Sequence, residues 1–227
     1  MSAAEGPYAW GDRQITLEEA RSFADTLQLS PDERDIVARF FAEVPVTLKM
    51  RGMFFSGLTD VVQKLCGRDE TLNLLAITAA PARTTAFINY SLRDFYKFYM
   101  AAARRIHPTK TLPDGMHELA LLFYPIFRES AIGKTMSVFM GKDPASILKL
   151  LPKAYNTSVE GVDHMCEIGD REATWRSKSE PFDYYPSVFS GVVEGAMRSH
   201  GAQSVAVKQA ERLKDDNMHS YVFRISW

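Results

Sequence analysis

Cysteine is nearly missing from this chain: Cys66 and Cys166 are the only two, a hundred residues apart. That is too distant for a metal knuckle or redox pair and too few for a secreted disulfide scaffold, so a cytoplasmic setting is expected. Charge of one sign is missing as well. Lys plus Arg number 27 against 28 for Asp plus Glu, a net charge of −1. Such a chain has no long-range field to steer it to nucleic acid or an anionic membrane. No uninterrupted apolar run reaches the roughly 18 residues of a membrane-spanning helix. The opening Met-Ser-Ala-Ala-Glu has neither the basic nor the apolar region of a secretory signal.

The motifs of common chemistries are also missing. His107, His117, His164, His200 and His219 include no pair four residues apart and no His-Glu-x-x-His. His107 and His117 flank a proline-bearing loop with no cysteine near them, which does not make a metal site. There is no Gly-x-Ser-x-Gly elbow, no phosphate loop and no Gly-x-Gly-x-x-Gly, and Gly133-Lys134-Thr135 lacks the upstream glycine of a phosphate cradle. Asp163, His164, Cys166 and Glu167 are the best local source of titratable groups for catalysis. In a strand, alternation places His164 and Cys166 on one face and Asp163 and Glu167 on the other. The expectation is therefore a protein without enzyme activity, with no catalytic residue, no metal and no cofactor.

What is present is an ordinary globular composition, 46% hydrophobic and 24% charged over 227 residues, enough chain to bury about 70% of its surface. Thr16 with Glu19 and Ser30 with Glu33 are capping-box pairs, the second with Pro31 at the first helical position. They predict two short helices. Apolar spacing predicts a helix from Val46 to Leu65 ended by Gly67, one opened by Ser91 and Asp94 and stopped by Pro108, and others over 116–130, 131–140 and 143–155.

After Gly161 the pattern changes. Val162–Ile168 and Ala173–Arg176 read as a hairpin about Gly169-Asp170, Ser187–His200 as a helix, and a strand begins at Val205. Tyr221, Phe223, Ile225 and Trp227 alternate with Val222, Arg224 and Ser226 as a last strand across a polar loop at 214–217. The fold class is α+β: a helical N-terminal two-thirds packed on a C-terminal antiparallel sheet of about four strands, in the order strand, strand, helix, strand, strand. Residues 1–45 form an N-terminal helical extension and 46–227 a single domain.

Several segments stand out from Val46 onward: Arg51-Gly52-Met53-Phe54-Phe55 with Gly57-Leu58, Tyr90–Tyr99 leading to Ile106-His107-Pro108, and Ile132-Gly133-Lys134 before Gly141-Lys142-Asp143-Pro144. Leu150-Leu151-Pro152-Lys153-Ala154-Tyr155 and Ile225-Ser226-Trp227 complete the set. In these segments the sequence resembles a paralogous family of uncharacterised proteins found mainly in myxobacteria. The C-terminal pattern, with Phe189-Ser190-Gly191-Val192-Val193-Glu194-Gly195 between the hairpins, is also similar to a broader group: heme nitric oxide/oxygen binding domains, 4-vinyl reductase domains and TRAPP trafficking subunits. The first of these hold iron through a histidine on the helix before the sheet and clamp the propionates with Tyr-x-Ser-x-Arg. Here that helix has no histidine, and the strand reads Trp175-Arg176-Ser177-Lys178-Ser179, so neither ligand nor clamp is expected. Cys166 alone cannot supply the zinc site found in some 4-vinyl reductase domains.

Aromatic and methionine residues are concentrated in the helical half, where they serve either as core or as the lining of an adaptable pocket. Together with the resemblance, they imply a sensory or regulatory module binding a hydrophobic small molecule or acyl chain. Phe54, Phe95, Tyr99, Phe123, Phe127 and Trp175 are the candidate lining residues. The alternative is a protein–protein interaction module, forming a homodimer or hetero-complex, with no bound ligand. Neither reading involves nucleic acid or an integral membrane segment.

Overall fold

The computed structural model describes residues 8–129, 133–134, 143–214 and 218–227. The chain divides into two compact units, the first ending at Met116 and the second beginning at His117.

The first unit opens with α1 (Leu17–Thr26) and α2 (Pro31–Glu43), both started by the expected capping boxes. Thr16 and Ser30 each accept the backbone N–H three residues on, and Glu19 and Glu33 reach back to the cap. β1 (Lys49–Arg51) follows, then α3 (Gly52–Cys66), α4 (Arg68–Ile77), β2 (Asn89–Ser91) and α5 (Leu92–Ile106). The helix expected from Val46 thus starts only at Gly52. Lys49, Met50 and Arg51 are extended because they pair antiparallel with Ser91, Tyr90 and Asn89. Gly67 ends α3 as expected, and with φ of 85° it also starts α4, a geometry that costs glycine least. Ser91 stands at the cap of α5 but makes no side-chain capping bond.

α5 is buried over Leu92, Arg93 and Phe95–Ala103, polar residues included. Arg93 donates to the carbonyls of Gly11 and Arg13, both at 2.8 Å. Lys97, wholly buried, donates to Tyr8 O, pairs with Asp94 at 2.9 Å and lies 4.7 Å above the Trp10 ring. Arg104 donates to the carbonyls of Leu27 and Gln28 at the end of α1, where helix carbonyls lack internal partners. Phe40 packs edge-on against Tyr96 at 5.1 Å.

α6 (Leu112–Glu129) contains the boundary between the units. In the second unit follow α7 (Pro144–Ser158), β3 (Asp163–Ile168), β4 (Glu172–Ser179), α8 (Tyr185–Ser199), β5 (Ala206–Lys214) and β6 (His219–Ser226). Asp143 caps α7 by accepting from the Ser146 N–H. The helix expected over 131–140 lies outside the described residues, apart from 133–134. The elements follow the expected chain order of strand, strand, helix, strand, strand, and the four strands form one antiparallel sheet in the spatial order β3-β4-β6-β5. No helix among the described residues is long and apolar enough to cross a membrane.

β6 lies between β4 and β5, with Tyr221, Phe223 and Ile225 buried and Arg224 exposed. Half-buried Trp227 continues this strand's ties: its N–H donates to Arg171 O, and its carbonyl accepts from Arg171 Nε at 2.7 Å. Deleting Ile225–Trp227 should cost the second unit several kcal/mol, at about 1.5–3 kcal/mol per large buried side chain. Arg224→Ala, which removes only a bond to Thr174 Oγ1, should cost about 1 kcal/mol or less. Thermal unfolding compares the two, and a truncated chain as stable as the full one would show the tail to be peripheral.

Candidate functional site

The buried face of the four-stranded sheet changes character from one end to the other. Alternation along β4 turns Ala173, Trp175, Ser177 and Ser179 inward, and the register sets them beside Ile225, Phe223, Tyr221 and His219 of β6. The Ala173 end is apolar. Trp175 is fully enclosed, 5.0 Å from Phe189, and Phe189 lies 4.3 Å from Phe223. The Ser179 end is polar and equally dry, with Ser177, Ser179, Glu180 and His219 all buried.

At that polar end the Ser179 hydroxyl donates to the Glu180 carboxylate. Burial, and then the charge of Glu180, push the phenols of Tyr155 and Tyr185 upward, so both stay protonated. Tyr221 donates to Phe182 O at 2.9 Å. Arg212, paired with Asp183, donates to His219 Nδ1 at 2.9 Å. An arginine has no acceptor to offer, so His219 is held neutral, in line with the downward shift that burial and Arg212 impose on it.

His164 and Cys166 share the buried side of β3, as alternation requires. The Asn156 side chain holds His164 by both backbone groups, at 2.8 and 3.0 Å. Its Nδ1 accepts from Trp175 Nε1 at 3.3 Å, and burial pushes the imidazole down to about 4. Burial, then Glu167, push the Cys166 thiol up to about 11. A neutral imidazole whose Nδ1 is taken up by Trp175 and a protonated thiol make a poor nucleophile pair at pH 7. Among the described residues no three His, Cys, Asp or Glu side chains gather where they could hold a metal ion.

The six candidate lining residues are split between the units. In the first, Phe95 and Tyr99 lie on α5 with ring centroids 5.6 Å apart; Phe95 also packs edge-on against Phe55, and the Tyr99 hydroxyl donates to Met116 O at 2.7 Å. Phe54 is half-buried on α3. In the second unit, Phe123 and Phe127 are half-buried one turn apart on α6, and Trp175 is sealed within the sheet core. Sequence reasoning did not single out Tyr155, Glu180 or Tyr185. Glu180 stands just past β4 and carries no periodic signal, and its burial is set by the fold rather than by its neighbours in sequence.

This arrangement of helices and sheet is that of the H-NOX fold. Three solved structures show the likeness. A variant of Tt H-NOX matches at TM-score 0.63 and 16% identity, covering 78% of this chain and 94% of that one. An oxygen-binding H-NOX domain related to soluble guanylate cyclases matches at 0.61 and 16%, covering 78% and 94%. A mutant of T. Tengcongensis H-NOX matches at 0.60 and 17%, covering 78% and 97%. By sequence the chain belongs to the family described as Protein of unknown function (DUF2378), over residues 46–227. No curated protein matches it.

A heme fits this donor set poorly. Where a propionate clamp would place a guanidinium, Ser179 leans on a buried carboxylate, so propionates would meet like charge in a dry site. Helix α7, Pro-Ala-Ser-Ile-Leu-Lys-Leu-Leu-Pro-Lys-Ala-Tyr-Asn-Thr-Ser, offers no imidazole.

Proposed function

We propose that this chain is a non-catalytic sensory or regulatory module that binds a hydrophobic small molecule or acyl chain. The observation that supports this reading is an H-NOX-like fold whose clamp position holds the buried Ser179–Glu180 pair in place of a cation. Such chemistry suits an uncharged ligand and repels an acidic one. Within the second unit, Phe123 and Phe127 are the residues we assign to ligand contact, because they are half-buried. A cytoplasmic setting accords with two free thiols.

Native mass spectrometry and solvent extraction of the purified full chain should reveal a hydrophobic component near one equivalent, and Phe127→Arg should reduce its retention at least tenfold. A chain that yields no such component and binds no fatty acid or apolar dye would overturn the reading. A docking role without ligand is favoured by one other feature, the outer sheet surface, where Met165 is 52% and Leu213 69% exposed. Concentration-dependent sedimentation of a ligand-free chain would establish self-association by that route.

A further inference from the structure

The face of the four-stranded sheet opposite the aromatic core carries a groove of about 340 Å³. Its construction follows from the register. One row across the sheet reads Glu167, Thr174, Arg224, Lys208, each residue paired with the next. The neighbouring row on the same face runs Glu172, Ser226, Ala206. Small side chains at Thr174, Ser226 and Ala206 leave the floor low, while charged ones rise at its two ends.

The charges are sorted by sign. Glu167 and Glu172 stand on the β3–β4 side, Arg224 and Lys208 on the β6–β5 side, and all four are exposed. Among the described residues none of the four is joined in an ion pair, although both signs line the same groove. Arg224 is steadied by donating to Thr174 Oγ1, which leaves further guanidinium donors open to the groove. Adjacent strands are about 4.8 Å apart, so Glu167 and Arg224 are separated by about 10 Å of sheet and Glu167 and Lys208 by about 14 Å.

The geometry points to a second binding site, for a small zwitterion whose ammonium and carboxylate are separated by several bonds, such as an ω-amino acid or a short peptide. The ammonium sits between the Glu167 and Glu172 carboxylates. The carboxylate takes the fork of Arg224 with Lys208 beside it. A monocation or monoanion satisfies only one end, and an α-amino acid is too short to reach both. This site is independent of any apolar ligand, because it lies wholly on the outer face of the sheet.

The test is titration of the ¹⁵N-labelled full chain at low salt with 6-aminohexanoate, hexylamine, hexanoate and glycine, followed by amide shifts. The zwitterion should saturate shifts along residues 167–174 and 206–226 with an affinity at least tenfold above either single-charge analogue and above glycine, and weaken as salt is added. Glu167→Lys/Glu172→Lys should lose that preference. Adding Lys208→Glu and Arg224→Glu to it should restore binding, with the ligand reversed end for end. Hexanoate binding as tightly as 6-aminohexanoate, the absence of saturable shifts, or failure of the fourfold reversal in a chain with an unchanged melting temperature would each overturn the assignment.

Discussion

A chain beginning at residue 46 should lose the cooperative unfolding of its first unit. Residues 8–45 complete the burial of α5: they supply the carbonyls of Tyr8, Gly11 and Arg13 that accept from Arg93 and Lys97, and those of Leu27 and Gln28 that accept from Arg104. Glu33 also accepts from the Leu112 N–H at the start of α6, at 2.6 Å. Removing them uncovers Tyr96 together with two buried cations. Each large apolar side chain exposed costs about 1.5–3 kcal/mol, and Phe40 with Tyr96 is only one of the packed pairs that would come apart. The sum exceeds about 5 kcal/mol, comparable with the whole stability of an ordinary domain. Circular dichroism during urea unfolding reads the result. A truncated chain with a transition within about 1 kcal/mol of the full one would mean that residues 8–45 merely rest on α5.

The second large effect is expected where α8 crosses α6. A Cβ built at Gly195 would lie 2.2 Å from Leu121 O, and one at Gly191 2.5 Å from both Ala120 Cβ and His117 O. Most of those atoms are backbone, which cannot rotate away. Alanine would normally strengthen a helix by about 1 kcal/mol over glycine, yet here two methyl groups must push one helix off the other. Gly191→Ala with Gly195→Ala should therefore destabilise the second unit by about 4 kcal/mol, at the upper end of overpacking costs. Scanning calorimetry would show this as a lowered transition. An unchanged or raised melting temperature would mean that the helices are more loosely apposed than their backbones suggest.

The parts of the fold legible in sequence are those whose signals are local. Thr16 with Glu19, and Ser30-Pro31 with Glu33, state a helix start within four residues. Tyr221 to Ile225 state a strand by alternation alone, because β6 has helices on one side and open surface on the other. β1 and β2 have three residues each, too short for a period of two to appear. Met50, Met53 and Phe54 extend the spacing of α3 backward across β1 and imitate a longer helix. α4 was illegible because only Thr71, Leu74 and Leu75 are buried along it. At the candidate site, the missing clamp could be read from Trp175 and Ser179, which stand where the motif has Tyr and Arg. The acid that replaces it could not, since Glu180 is brought to that place by the way the chain leaves β4.

The aromatic residues of the first unit form an unbroken sequence of contacts. Tyr8 and Trp10 touch Phe23 and Phe41, Phe41 touches Phe40, Phe40 touches Tyr96, Tyr96 touches Phe95, and Phe95 reaches Phe55 and, beyond it, Tyr90. Most of these pairs meet edge to face, so a phenyl ring can turn over only when its neighbours briefly give way. Ring reorientation in this unit is consequently collective and slow compared with the picosecond-to-nanosecond motion of exposed side chains. The two sides of the Phe23, Phe40 and Phe41 rings should give separate proton resonances near room temperature, merging together on warming.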